Sequence, residues 1–194
     1  MKACFRKLFS KIDDQRKGNR KVAMMSPVGD EKLIRNFTKM VKKQTFKDFD
    51  ILFIYPKGSK FCYDKELSMI HVEEKLLLGT SGCFFAGQAF LYTEGYEIII
   101  IADIDAIPSS NKMLEHLVER AKNEKCAVLP LSTPPDGGVN ERVCNVNQYG
   151  TCHRSVFDTA GFATPYFWRG GEDWELMRRL LDKRLIKIAA RSPR

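Results

Sequence analysis

The chain has 194 residues, 44% of them hydrophobic and 11% aromatic, which suits one domain with a full core and excludes a disordered or fibrous polymer. Its formal net charge of +8 is concentrated at one end, since residues 1–43 hold thirteen Lys or Arg against four acids and the rest nineteen against twenty; with no nucleic-acid-binding motif, this argues against a nucleic-acid enzyme. No apolar run reaches the roughly eighteen residues of a membrane span, and the first residues lack the apolar core of a secretory signal, so a cytoplasmic setting is expected.

Residues 1–12 place Cys4, Phe5, Leu8, Phe9 and Ile12 at helical spacing, with Lys2, Arg6, Lys7 and Lys11 between them. The pattern predicts a basic amphipathic helix that either docks peripherally on an anionic inner membrane surface or packs on its own domain or a partner. Residues 13–20 are polar and read as a linker, which sets residues 1–20 apart from a single domain over 21–194. The six cysteines, Cys4, Cys62, Cys83, Cys126, Cys144 and Cys152, show no zinc-like pairing and read as reduced packing thiols.

Residues 22–25 form a first buried strand that ends in the loop Ser26-Pro27-Val28-Gly29-Asp30, where Asp30 is a good helix N-cap. Leu33, Ile34, Phe37, Met40 and Val41 share one helical face, and a second strand follows at 49–55. Together they predict a βαβ unit with parallel strands. A short strand is expected at 69–72, with His71 as a satisfied surface histidine. Small residues at 79–82 precede a buried helix over 83–93.

Glu97 to Asn111 is the centre of the chain. Ile98, Ile99, Ile100, Ile101 and Ala102 are apolar on both faces, as a strand covered by helices on each side requires. Asp103 and Asp105 stand where this strand ends, and Pro108 to Asn111 starts the next helix, whose apolar face is Met113, Leu114, Leu117, Val118 and Ala121. The carboxyl ends of strands are where open α/β sheets bind ligands, so two acids there suit a divalent cation and the phosphates it carries; a solvated turn would also explain them. A strand at 127–131 is followed by a segment rich in Pro, Gly and Asn, 132–149, with no expected regular element. Leu176, Met177, Leu180 and Leu181 mark a last amphipathic helix, with Gly170 and Gly171 before it and Glu172 and Asp173 in its first turn. Acids there complement the helix dipole in any protein, but the apron of Gly, Trp and Phe around them goes beyond that need. A final strand is expected at 185–190.

The order of a strand ending in Asp103-Ile104-Asp105, then Arg154-Ser155-Val156-Phe157, Gly161-Phe162 and Gly170-Gly171-Glu172-Asp173-Trp174-Glu175-Leu176, resembles the family 2 glycosyltransferases with the GT-A fold. The last segment is also similar to the donor-end motif of β-1,4-galactosyltransferases and bacterial chondroitin-type polymerases. The likeness spans roughly residues 20–185. It implies an α/β, Rossmann-like domain with a mostly parallel central sheet between helices. It also implies an inverting, metal-dependent transfer of a sugar from a nucleotide-sugar donor, a UDP-sugar being expected, to a glycan or lipid-linked acceptor, as in polysaccharide biosynthesis.

By the same likeness, Asp103 would lie near the nucleotide and the metal, and Asp105 would ligate Mn2+ or Mg2+. Pro27 and Asp30 would border the nucleotide, Asp173 would be the catalytic base, and Glu172 would orient the acceptor beside Trp168, Gly171 and Trp174. The sequence departs from the family in having no basic residue over 79–88, Gly29-Asp30 at the end of the first strand, and no His after the Glu172-Asp173 motif. The domain also reads as short at its C-terminal end. A nucleotidyltransferase, which needs no base at Asp173, and a sugar- or nucleotide-binding domain without turnover are the alternatives.

Overall fold

A computed structural model of the chain describes residues 7–76, 78–130, 146–166 and 171–189. Within them, eight strands form one sheet in the order β1-β4-β3-β2-β5-β7-β6-β8. The strands are β1 (Phe9–Gln15), β2 (Val22–Pro27), β3 (Asp50–Tyr55), β4 (Met69–Glu74), β5 (Ile98–Ala102), β6 (Ala127–Pro130), β7 (Gln148–His153) and β8 (Ile186–Ala189). Six run the same way, while β1 lies antiparallel to β4, and β7 lies antiparallel to both β5 and β6. The α/β, mostly parallel single sheet expected from the sequence is therefore the architecture.

Helices α1 (Glu31–Lys42) and α3 (Met113–Glu124) cover one face, and α2 (Gly79–Glu94), α4 (Arg154–Ala160) and α5 (Glu172–Asp182) the other. The isoleucines of β5 divide between these layers by the two-residue period of a strand. Ile98 and Ile100 pack with Phe37, Leu114 and Leu117, whereas Ile99 and Ile101 pack with Phe84, Phe90 and Leu176. Helix α2 packs tightly on the sheet at Gly87, where a Cβ would stand 2.4 Å from the Met25 methyl and 2.8 Å from Ile54 Cδ1. A larger residue there would have to push those two side-chain ends aside.

Three expectations are corrected. The helix expected over 1–12 is a strand from Phe9 onward, and residues 1–6 lie outside the described residues. The β1–β4 register shifts between Phe9 and Lys11, so that Phe9 pairs with Glu74 and Ile12 with Val72, two partners on one face. A bulge inserts one residue and restores Phe9 and Ile12 to the same side, which makes a bulged strand imitate the three-residue spacing of a helix. Second, β7 begins inside the segment expected to be irregular, with Tyr149 at φ 64 and Gly150 folded so tightly that a Cβ would lie 2.3 Å from the Val146 carbonyl oxygen. Third, His71 is not at the surface. It is fully buried among Phe53, Tyr55, Phe61 and Tyr63, its Nδ1 3.1 Å from the Tyr55 hydroxyl, and burial lowers its pKa to about 4.

Candidate active site

The backbone leaves β5 through a tight turn that fixes the first acidic pair. Asp103 N–H donates to the Asn147 carbonyl at 2.7 Å, Ala106 N–H to the Asp103 carbonyl at 3.0 Å, and the Tyr149 hydroxyl to the Ala106 carbonyl at 3.0 Å. Asp103 is half-buried beneath this turn and Asp105 is exposed on its outer side. A groove of about 410 Å3 runs from Asp105, Ile104 and Ile107 to Leu33 and Lys39 of α1 and Lys43 at its C-cap. At the neighbouring strand end, Pro27 is the last residue of β2, and Val28 N–H donates to the Ile54 carbonyl at 2.8 Å. Asp30 is exposed and caps α1 as expected, accepting from Lys32 N–H at 2.9 Å.

The second acidic pair enters from α5. Gly171 takes φ 101 at the helix N-cap, a left-handed conformation that suits glycine, and so turns the chain directly into Glu172 and Asp173. The two acids then separate. Glu172 is 2% exposed, and its carboxylate accepts from Ser81 Oγ at 2.8 Å and from Asn147 Nδ2 at 3.3 Å. Asp173 is partly exposed, one of its oxygens accepting from Trp174 N–H at 2.8 Å, and Trp174 itself is 63% exposed. Trp168 and Gly170 lie outside the described residues.

Electrostatics joins the two pairs into one cluster. The Asp103 pKa is raised to about 7, first by burial and then by the negative charges of Asp105, Glu172 and Asp173. Three carboxylates, one a near neighbour and two from a distant stretch of the chain, thus act on Asp103 at the carboxyl end of the sheet. Bringing up a cation relieves that repulsion, and a hard divalent ion suits an all-oxygen donor set completed by phosphate and water. Among the described residues no group of three or more His, Cys, Asp or Glu is arranged to hold a metal by itself.

Asn147 and Ser81 were not singled out in the sequence as site residues. Asn147 uses its carbonyl for Asp103 and its amide for Glu172, and so spans the two motifs; it lies in a segment with no periodicity to mark it. Ser81 was visible only as one small residue before a helix.

No protein-family model matches the sequence, and no curated protein sequence is similar to it. Solved structures are. The mannosyltransferase PcManGT from Pyrobaculum calidifontis, in complex with GDP-Man and Mn2+, superposes with a TM-score of 0.66 at 14% identity, over 97% of this chain and 63% of that one. S. aureus TarS 1-349 in complex with UDP-GlcNAc superposes with a TM-score of 0.68 at 13% identity, over 89% of this chain and 56% of that one. The chain has the GT-A-type glycosyltransferase fold. It spans less than two thirds of the length of either structure, and at these identities the likeness speaks for the fold alone.

Proposed function

We propose that the chain is a glycosyltransferase domain that moves a sugar, with inversion, from a nucleotide-sugar donor to a hydroxyl of a glycan or lipid-linked acceptor. The observation that carries this reading is the convergence of Asp103 and Asp105 with Glu172 and Asp173, because glycosyl transfer needs both a place for a leaving diphosphate and a base for the attacking hydroxyl. The solved structures with this fold hold GDP-Man and Mn2+ or UDP-GlcNAc, which favours a nucleotide sugar over other donors.

Asp105, with Asp103 behind it, would hold Mn2+ or Mg2+, whose charge when bound neutralises the departing diphosphate. The chain's own residues do the rest. Pro27 and Asp30, beside that position at the end of β2, border the nucleotide. Asp173 takes the acceptor hydroxyl proton as the acceptor oxygen bonds to the anomeric carbon. The bond to the donor phosphate breaks on the opposite side and its electron pair leaves with the nucleoside diphosphate, so one displacement inverts the centre. Gly171 and Trp174, with Trp168, form the acceptor side, an exposed indole offering a flat apolar face to a sugar ring. Glu172, enclosed by Ser81 and Asn147, serves this site by holding α5 against α2 and the start of β7, and through that orients the acceptor side.

The test is incubation with Mn2+ and UDP- or GDP-sugars, chromatography resolving the nucleotide products. Release of nucleoside diphosphate, lost in Asp105→Ala and Asp173→Asn, is the expected result. Pyrophosphate release would make the protein a nucleotidyltransferase, and donor binding without turnover of any donor would make it a binding domain.

A further inference from the structure

The basic charge that stands out in the sequence has a defined place in the fold. Helix α1 carries Lys32, Arg35, Lys39 and Lys42 against the single acid Glu31, and Lys43 follows at its C-cap. The other two long amphipathic helices are acidic on balance, α3 with three acids to two basic residues and α5 with four to two. Each of them pairs an arginine with an acid one turn away, Arg120 with Glu124 at 2.8 Å and Arg179 with Glu175 at 2.6 Å. In α1, Lys42 pairs instead outside its own helix, with Asp64 at 2.8 Å and Glu66 at 3.3 Å from the segment before β4. Lys32, Arg35, Lys39 and Lys43 are exposed and pair with no carboxylate among the described residues.

Exposed apolar side chains flank this ridge. Lys39 lines two grooves at once, one shared with Tyr63 and the other with Ile107, so that the tyrosine and the isoleucine stand on either side of the helix. Ile107 is 73% exposed and Tyr63 55% exposed. The solvated faces of α3 and α5 carry both signs of charge, whereas that of α1 is almost wholly basic. Cations with long stems beside an aromatic ring and a branched aliphatic side chain match a bilayer interface, where the cations meet anionic headgroups and the apolar groups enter the boundary layer. A nucleic acid would be served by the cations but not by Ile107.

We infer that the outer face of α1, with Ile107 and Tyr63 beside it, docks the protein peripherally on an anionic membrane surface. Docked this way, the groove that holds Asp105 opens at the bilayer, because Lys39, Lys43 and Ile107 line that same groove. The inference does not depend on the reaction proposed above. It moves the membrane contact from residues 1–12, part of which is β1, to the helix that follows β2.

Sedimentation of the full chain with phosphatidylcholine vesicles, with and without phosphatidylglycerol, tests it. Binding is expected only to the anionic vesicles and is expected to weaken with added salt. Arg35→Glu, Lys39→Glu and Lys43→Glu together should weaken it on the order of 100-fold, at about fivefold or more per basic residue. Ile107→Ser should weaken it several-fold. Reversing Arg178, Lys183 and Arg184 on the other side of the sheet, or replacing Lys2, Arg6 and Lys7 by Ser, should leave it nearly unchanged. Circular dichroism establishes that each variant is folded. Equal binding to both vesicle types, unchanged binding by the folded α1 variant, or retention of a DNA oligonucleotide without vesicle binding would each overturn the assignment.

Discussion

At the amino ends of the parallel strands, Asp50 is 1% exposed, and its carboxylate accepts from the Ser68 hydroxyl and, at 2.6 Å, from the Tyr96 hydroxyl, with Arg20 Nη1 3.7 Å away. At the carboxyl ends, Asp103 is half-buried in the company of three other carboxylates, which together with its burial raise its pKa to about 7. The same residue type is thus supported at one end of the sheet and opposed at the other. Donors and a cation around a buried acid hold the chain together; acids that raise one another's proton affinity favour a ligand that brings positive charge. The contrast separates residues whose loss unfolds the protein from residues whose loss disables it.

The largest expected effect lies at the carboxyl end. Asp173→Asn should lower the turnover of a transferred sugar by roughly 10^2- to 10^4-fold, the range of a lost general base, while leaving unfolding by urea unchanged. Asp50→Ala should do the reverse. Removing the acceptor of Ser68 and Tyr96 and the partner of Arg20 should destabilise the fold by about 3 kcal/mol in urea or thermal unfolding, with turnover per folded molecule preserved.

Stability against pH distinguishes the buried acid from the buried histidine. Asp103 has a folded pKa of about 7 against an ordinary 3.8, so between pH 4 and 7 the folded state keeps a proton that the unfolded chain releases, and stability falls as pH rises. His71 has a folded pKa of about 4 against 6.5, so in nearly the same window the unfolded chain binds a proton that the folded state refuses, and stability falls as pH drops. The slopes oppose each other. In urea titrations without metal, His71→Gln should leave stability declining toward pH 7, and Asp103→Asn should leave it declining toward pH 4. The smallest effect is expected from Asn147→Ala, which leaves the buried Glu172 with Ser81 as its one remaining side-chain donor among the described contacts. That should cost about 1–2 kcal/mol of stability and lower turnover more than donor affinity.

Much of this contrast was readable in the sequence at the carboxyl end and little of it at the other. The run Ile98 to Ala102 announces a strand buried on both faces, and Asp103 and Asp105 beyond it follow from the placement of ligands at strand ends. Gly171 before Glu172 and Asp173 marks a turn into a helix. These are local patterns, and local patterns survive in one dimension. What failed depends on distant partners. Asp50 appears as an unremarkable polar residue until Ser68 and Tyr96 meet it. His71 reads as a surface residue because its aromatic neighbours come from β3 and from the loop before β4. The bulge in β1 copies the spacing of a helix, and β7 carries a residue of positive φ and a glycine at its second and third positions, which hides its strand period. Asn147, which joins the two acidic motifs, carries no local signal at all.

In the proposed transfer the two acidic motifs divide one reaction between them, Asp105 on the donor side and Asp173 on the acceptor side. Calorimetric titration of the turned-over nucleotide sugar in the presence of Mn2+, alongside turnover of the same samples, tests this directly. Donor binding retained and turnover lost in Asp173→Asn, with both lost in Asp105→Ala, is the predicted result. Turnover retained in Asp173→Asn, or donor binding undiminished in Asp105→Ala, would contradict it.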